Sequence, residues 1–379
     1  MVETKYKKQS IPYIDFTREY QNYKNEFDQA YFRVMEKGYF ILGNEVLEFE
    51  KEFADFCGSK FAVGLGSGLD ALILCLESWG VGIGDEVIVC ANTYIATAFA
   101  ASRLGAVPVF VDADPKSFNI DVNLIEAAIT ERTKVIIPTH LYGQMADMEA
   151  INLLAKKYNL KVLEDAAQAH GARQRGKVCG THSDAVAFSF YPTKNLGAFG
   201  DAGAVTTNDP LLYDQLLYLR NNGSKTKFYY DYIGYNSRLD EIQAAFLKVK
   251  LKHLSKWNQT RNHLAEIYHR ELQGLESVVL PSVEEFNESV WHVYCIRVLG
   301  SKRDELMNFL KAKGVSTNIH YPHPVHLQNY YQDLNYSLGD FPVAESFAGE
   351  ILSLPLSPFH SEEEIYQVVN TIKLFYKVD

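Results

Sequence analysis

The segment FSFYPTKNLGAFGDAGAVTTND sets one lysine, Lys194, in a stretch that follows an apolar run and leads into Gly197, Gly200 and Gly203. Dense glycine lets backbone approach a ligand closely and take positive φ. A lysine held and partly desolvated beside such a loop loses proton affinity and becomes a nucleophilic amine. Taken alone, Lys194 is one lysine among many, and lysines are mostly solvated. Three further groups change that reading. In KVLEDAAQAHGA, Asp165 closes an apolar strand, where ligands bind in open α/β sheets. A buried carboxylate there keeps a ring nitrogen protonated by charge pairing, so that the ring can serve as an electron sink. Gln168 is placed to hydrogen-bond a ring hydroxyl. Without the other groups, Asp165 reads equally as an aspartate closing a turn.

In FAVGLGSGLDALILCLESWG a strand meets Gly66-Ser67-Gly68 and a helix begins at once. The N–H groups and dipole of a helix N-terminus suit a phosphate. No G-K-[ST] follows, so this is not a Walker A loop, and the glycine spacing does not match the dinucleotide fingerprint either. A plain turn with a serine cap is the competing reading. In ANTYIATAFA, Tyr94 follows a strand and opens a helix, where its ring can stack on a flat ligand or sit in the core. The chain order is therefore phosphate loop, aromatic, strand-end carboxylate, lysine.

The elements that must position these groups alternate between about Phe61 and Val205. The short β-branched runs are FAVGLG, EVIVCA, VPVFVD, KVIIPTH, KVLEDA and AVAFSF. Helical patterns lie between them: LDALILCLESWG, ATAFAASRLGA, NLIEAAITER and MEAINLLAKKYN. Such alternation predicts βαβ units and a mostly parallel sheet between helices. Two helices separated by the turn GYFILG precede the block. A long amphipathic helix from Leu239 to about Leu272 follows it. The remainder, with WHVYCIRVL as a strand and KRDELMNFLKAKG and SEEEIYQVVNTIKLFYK as helices, reads as a smaller α+β domain. The expected division is 1–250 for the large domain and 251–379 for the small one.

The 379 residues are 47% hydrophobic, enough for a large core, and carry a formal net charge of −10. That acidic balance argues against nucleic acid or an anionic membrane as the main partner, though not against a small anion in a local N–H-lined pocket. Five scattered cysteines without a C-x-x-C pair read as free thiols of a reducing cytoplasm. The opening MVETKYKKQS has no apolar core of a secretory signal, and no apolar run of about 18 residues reads as a membrane span.

Taken together, IPYIDF, GYFILG, GDEVIV, THLYGQMADM, LEDAAQAHGA, SFYPTKNLGAFGDAGA, NSRLDEIQAA and IHYPHPVHLQ resemble the sugar-nucleotide aminotransferases of the DegT/DnrJ/EryC1/StrS family. The likeness covers nearly the whole chain. It implies an aspartate-aminotransferase-like, fold type I, large domain and pyridoxal 5′-phosphate as cofactor. At matching positions, Lys194 would be the Schiff-base lysine and general base, and Asp165 would pair with the pyridinium nitrogen. Gln168 would contact the ring hydroxyl and Tyr94 would stack on the ring. Ser67, Gly68 and Ser189 would hold the phosphate, with Asn236 reaching in from the other subunit of a homodimer. Many relatives have N-S-G-T where this chain has G-S-G-L, so a hydroxyl is missing at Leu69.

The I-H-Y-P-x-P-x-H-x-Q pattern and Tyr191 resemble members that aminate C-3 of dTDP-3-keto-6-deoxyhexoses, with L-glutamate as donor. By that likeness His320, Tyr321 and Tyr191 line the sugar pocket; loop packing between domains is the other reading. Pro322 and Pro324 forbid a helix through His320, His323 and His326, so these histidines do not share a helical face and no metal is expected. Enzymes acting on 4-keto-6-deoxyhexoses or on UDP-3-keto-hexuronates remain alternatives. So, more distantly, does a cofactor-binding regulator, although no DNA-binding extension is visible. A sugar dehydratase of the same fold would carry histidine in place of Lys194. The biosynthetic setting implied is deoxyamino sugar destined for a lipopolysaccharide O-antigen or an S-layer glycan.

Overall fold

The computed structural model describes residues 10–226 and 228–377. The polar stretch MVETKYKKQS, read above for a leader, lies outside the described residues except for Ser10. Two helices open the chain. α1 (Phe16–Lys37) is capped by the Asp15 side chain, which accepts from the Arg18 N–H, and ends at Gly38 with φ 62°. α2 (Asn44–Cys57) follows Gly43, which has no side chain to cap it. The Glu241 carboxylate, far along the chain, accepts from the N–H groups of Gly43, Glu45 and Val46 at 2.7–3.1 Å and does the capping instead.

The central sheet has seven strands: β1 (Phe61–Leu65), β2 (Glu86–Cys90), β3 (Val107–Val111), β4 (Thr133–Ile137), β5 (Lys161–Asp165), β6 (Ala185–Ser189) and β7 (Gly203–Thr207). Their order across the sheet is β1-β7-β6-β5-β4-β2-β3. From β6 to β3 all neighbours are parallel, and β7 runs antiparallel to both β6 and β1. Every residue of β2 is buried, as expected for a parallel strand covered on both faces. The expected α/β sheet is present, with one addition. Gly203–Thr207 forms a strand where the glycine density predicts loop, because glycine is depleted in strands and hides the β-branched residues behind it.

The covering helices include α3 (Gly68–Ser78), α4 (Ile95–Arg103), α5 (Met148–Tyr158) and α6 (Pro210–Leu219). The pattern of NLIEAAITER predicts one helix. It forms only a turn of α-helix at Val122–Ile125 and a 3₁₀ turn at Glu126–Ala128, because β4 begins at Thr133 and leaves no length for more.

The 32-residue α7 (Glu241–Leu272) packs against α1 and α2 at its start. Its far end joins a second apolar core around the three-stranded sheet of β8 (Val278–Val279), β9 (Tyr294–Val298) and β10 (Ile351–Leu354). α8 (Arg303–Ala312) and α10 (Glu362–Tyr376) cover that sheet, while α9 (Pro342–Glu350) packs its Phe347 into the larger core. Position 250 falls within α7. The strand expected from WHVYCIRVL begins only at Tyr294, because Trp291 takes φ 44° and the segment before it turns toward the lysine loop.

Candidate functional site

The loop between β6 and β7 folds back on itself. Lys194 N–H donates to Tyr191 C=O at 2.8 Å and Ala198 N–H to Phe190 C=O at 2.7 Å. Two glycines are dictated by contact. A Cβ on Gly197 would lie 2.3 Å from Pro192 O, and one on Gly203 would lie 2.4 Å from the Ser67 carbonyl. Beside Lys194, the buried Asn195 amide donates to Asn258 Oδ1 at 3.1 Å and to Val290 C=O at 3.0 Å. With the amide assigned that way, its carbonyl faces His292 Nδ1 at 3.0 Å, which therefore carries the ring proton. The lysine is thus fixed from its own backbone and from its neighbour. Burial lowers the Lys194 ammonium pKa to about 8, against the opposing pull of the Asp165 carboxylate. Burial, with Lys194 nearby, also lowers His320 to about 4 and puts His292 well below its usual range, so both imidazoles are neutral at pH 7.

Asp165 ends β5 and is 6% exposed. Its Oδ2 accepts from Thr97 Oγ1 at 2.7 Å and its Oδ1 from the Ala167 N–H at 3.2 Å. Gln168 Oε1 accepts from the Tyr142 N–H at 2.7 Å, and its Nε2 donates to the Tyr321 hydroxyl at 3.1 Å, which leaves one amide hydrogen uncommitted. Tyr142, at φ 59°, donates its hydroxyl to His320 C=O. Tyr321 lies 5.3 Å, centroid to centroid, from the half-exposed Tyr94 ring. Burial, and next the Asp165 charge, push the Tyr321 phenol up, so it stays protonated.

The Ser67-Gly68 turn opens α3 as the sequence predicts. Ser67 Oγ accepts from the Asp70 N–H at 3.1 Å, which leaves the first helical N–H groups, Gly68 and Leu69, without partners inside the helix. A Cβ on Gly68 would meet Ser189 Cβ at 2.7 Å, so the turn is pressed against the end of β6. From the other side, Ser237 Oγ accepts from the Gly66 N–H at 3.0 Å and donates to Asp70 Oδ2 at 2.7 Å. The result is a rigid, N–H-lined cradle suited to a phosphate.

Of the remaining predicted residues, His320 is held by Ser353 Oγ at 2.8 Å, its ring 5.5 Å from that of Tyr321 and within reach of the Lys194 charge. Tyr191 is half exposed, three residues before the lysine. Asn236 is exposed, and among the described residues its side chain makes no hydrogen bond, while its backbone bridges to Asn221. The histidines of the C-terminal stretch separate: His323 is exposed, and His326 is buried against Phe341 with Glu345 at 3.1 Å.

The sequence reading missed Thr97, Thr93, Thr139, His292 and Asn195. Threonine and asparagine carry no pattern that reveals such contacts, and only the closeness of Asn195 to Lys194 could have drawn notice. Among the described residues, His140, Glu164 and Cys179 place potential metal-binding atoms within 4.8 Å of one another. Those atoms already serve each other. His140 Nδ1 accepts from the Ala146 N–H at 3.1 Å, so its Nε2 proton goes to Glu164 Oε2 at 2.7 Å.

This arrangement brings together an amine of lowered proton affinity, a carboxylate with lone pairs to spare on both oxygens, a half-exposed aromatic ring and an N–H-lined helix start. Residues 21–373 match the model of the DegT/DnrJ/EryC1/StrS aminotransferase family. The chain is 48% identical over 363 residues, 96% of its length and 99% of the relative's, to the erythromycin biosynthesis sensory transduction protein EryC1 of Saccharopolyspora erythraea. It is 47% identical, covering 96% of this chain and 99% of the other, to the dTDP-3-amino-3,6-dideoxy-α-D-galactopyranose transaminase of Aneurinibacillus thermoaerophilus. Among solved structures, DesV of S. venezuelae in complex with a ketimine intermediate superposes with a TM-score of 0.95 at 45% identity, over 98% of this chain and 100% of that one.

Proposed function

The chain belongs to the DegT/DnrJ/EryC1/StrS aminotransferase family, and from that premise we propose that it moves an amino group from L-glutamate to a keto-sugar nucleotide with pyridoxal 5′-phosphate as cofactor. The substrate we assign is a dTDP-3-keto-6-deoxyhexose, giving the 3-amino-3,6-dideoxyhexose. One observation carries the reading: Lys194, with an amine of lowered proton affinity, lies within electrostatic reach of the buried Asp165 carboxylate.

When bound, the cofactor supplies an aldehyde that carries the amino group and a ring that withdraws electrons. Lys194 holds it through its amine and, once released, takes and returns a proton at Nζ. Asp165 uses the lone pairs that Thr97 and Ala167 leave open to keep the ring nitrogen protonated. Gln168 offers its spare amide hydrogen to the ring hydroxyl, and Tyr94 covers the ring face. The Gly68 and Leu69 N–H groups, with Ser67 and Ser189, orient the phosphate. Tyr191, His320 and Tyr321 line the sugar side.

Asn236 completes the phosphate site of a second subunit. Support for a homodimer comes from its exposed side chain and from large apolar side chains left in the open, among them Phe32, Tyr39, Tyr229, Tyr230 and Ile233. The A. thermoaerophilus relative supports the 3-amino-6-deoxy product. No helix among the described residues is long and apolar enough to cross a membrane, and we place the protein in the cytoplasm, supplying a cell-surface glycan. The deciding experiment is incubation with L-glutamate and a panel of 3-keto and 4-keto sugar nucleotides on dTDP and UDP, with NMR of the product. Amination at C-3 of the dTDP sugar supports the assignment. Turnover of the 4-keto sugar alone overturns it.

A further inference from the structure

Three threonines from separate parts of the fold meet behind Asp165. Thr93 follows β2, Thr97 lies in the first turn of α4 and Thr139 follows β4; none is more than 5% exposed. Thr97 Oγ1 lies 2.7 Å from Asp165 Oδ2, Thr93 Oγ1 lies 3.0 Å from Thr97 Oγ1, and Thr139 Oγ1 lies 2.8 Å from Thr93 Oγ1. An ionised carboxylate only accepts, so the single Thr97 hydrogen is committed to Asp165. Thr97 can then only accept from Thr93, and Thr93 only from Thr139. All three hydroxyl dipoles therefore point the same way, toward Oδ2. Such chains polarise one another, and bonds to an ionised acceptor are the strong ones.

We propose that Thr139, Thr93 and Thr97 form a one-way hydroxyl chain that holds Asp165 ionised and in a fixed plane, and so keeps the proton on the cofactor's ring nitrogen rather than on the carboxylate. The proposal rests on the assignment of Asp165 to that nitrogen. These are positioning residues, because they touch Asp165 and not the ligand. The chain also ties the Tyr94 turn, between Thr93 and Thr97, to the strand end that carries Asp165, so stacking face and charge partner are set by one network. Among the described residues, Lys194, Tyr321 and Cys179 are titratable groups that feel the Asp165 charge. Burial keeps the latter two protonated, so of these three the lysine–cofactor link is the group that titrates near neutral pH.

The test uses the holoenzyme and three variants: Thr97→Val, which keeps the shape and removes the donor, Thr97→Ser, which keeps the donor, and Thr93→Val. Cofactor absorbance is titrated against pH without substrate, and kcat and KM are then measured. Without the Thr97 donor Asp165 becomes the stronger base and draws the ring proton toward itself. The ring loses positive charge and the lysine–cofactor link titrates higher. Thr97→Val should raise that midpoint by about one pH unit and lower kcat about tenfold, with KM for the sugar nucleotide unchanged. Thr97→Ser should restore both, and Thr93→Val should move them the same way by less. A Thr97→Val enzyme with the wild-type midpoint and kcat overturns the proposal while leaving the pocket assignment intact. A wild-type protein that takes up no pyridoxal phosphate overturns both. If Thr97→Val fails to fold, the Thr93→Val midpoint decides: an unchanged value refutes the chain.

Discussion

Glu164 and Asp165 are consecutive residues on β5, both carboxylates, both buried, and they face opposite sides of the sheet. On one side Glu164 is closed off. His140 Nε2 donates to it at 2.7 Å, Ser183 Oγ at 2.6 Å, and the Cys179 thiol lies at 3.9 Å. Burial alone would raise its pKa; the His140 and Ser183 bonds outweigh that and hold it below the usual carboxylate range. On the other side Asp165 receives one hydroxyl and one N–H and keeps lone pairs for a ligand. A buried acid satisfied within the protein anchors the fold, whereas one left partly unsatisfied at a strand's carboxyl end marks a site.

The comparison can be broken most sharply from the Asp165 side. Lys194→Ala should abolish turnover and the lysine-linked cofactor absorbance, and Asp165→Asn should lower kcat on the order of 10²-fold or more, both with little change in melting temperature. Retained turnover in the lysine variant would refute the pocket assignment. Glu164→Ala should do the reverse, losing about 3–5 kcal/mol of stability in urea while the folded fraction keeps near-normal kcat.

The same contrast has a pH form. The folded Glu164 pKa is depressed, so its contribution is complete above the unfolded value near 4.5 and fades as pH falls through the lower folded value. Glu164→Gln should therefore narrow the stability gap to wild type below pH 4.5 in urea titrations. Gly68→Ala, with its Cβ driven against Ser189, should weaken cofactor binding about tenfold in a fluorescence titration and cost about 1–3 kcal/mol of stability in urea. The smallest effect is kinetic. Cofactor uptake by the apo-protein should rise with pH around a midpoint of about 8, where Lys194 loses its proton, whereas an unshifted lysine would give a rise nearer 10.

The alternating β-branched and amphipathic runs make the sheet legible in the sequence, since periodicity is set by the same faces that become buried. Lys194, Asp165, Gln168 and the Ser67-Gly68 turn stood out only together, through their chain order and the family resemblance, since each taken alone reads as an ordinary lysine, turn or cap. What stayed hidden depends on distance in sequence. Glu241 caps α2 from 198 residues away, and Thr139 reaches Thr93 across 46. Neither contact leaves a local trace. β7 was missed for the opposite reason: its glycine start looked local and loop-like, but pairing on both edges overrides that propensity. The C-terminal histidines occupy three separate environments, in keeping with Pro322 and Pro324, which forbid a helix that would give them a common face.

All five cysteines are buried and none is paired with another. Burial raises every one of these thiols, Cys90 to about 12 and Cys295 to about 12, so almost no thiolate exists at neutral pH and little surface is offered to a reagent. The wild-type chain is thus already a silent background for thiol labelling. A single cysteine introduced at the exposed position of Asn236 would be the only handle a maleimide dye reaches in the folded protein, and its fluorescence would report directly whether a second subunit covers that side chain.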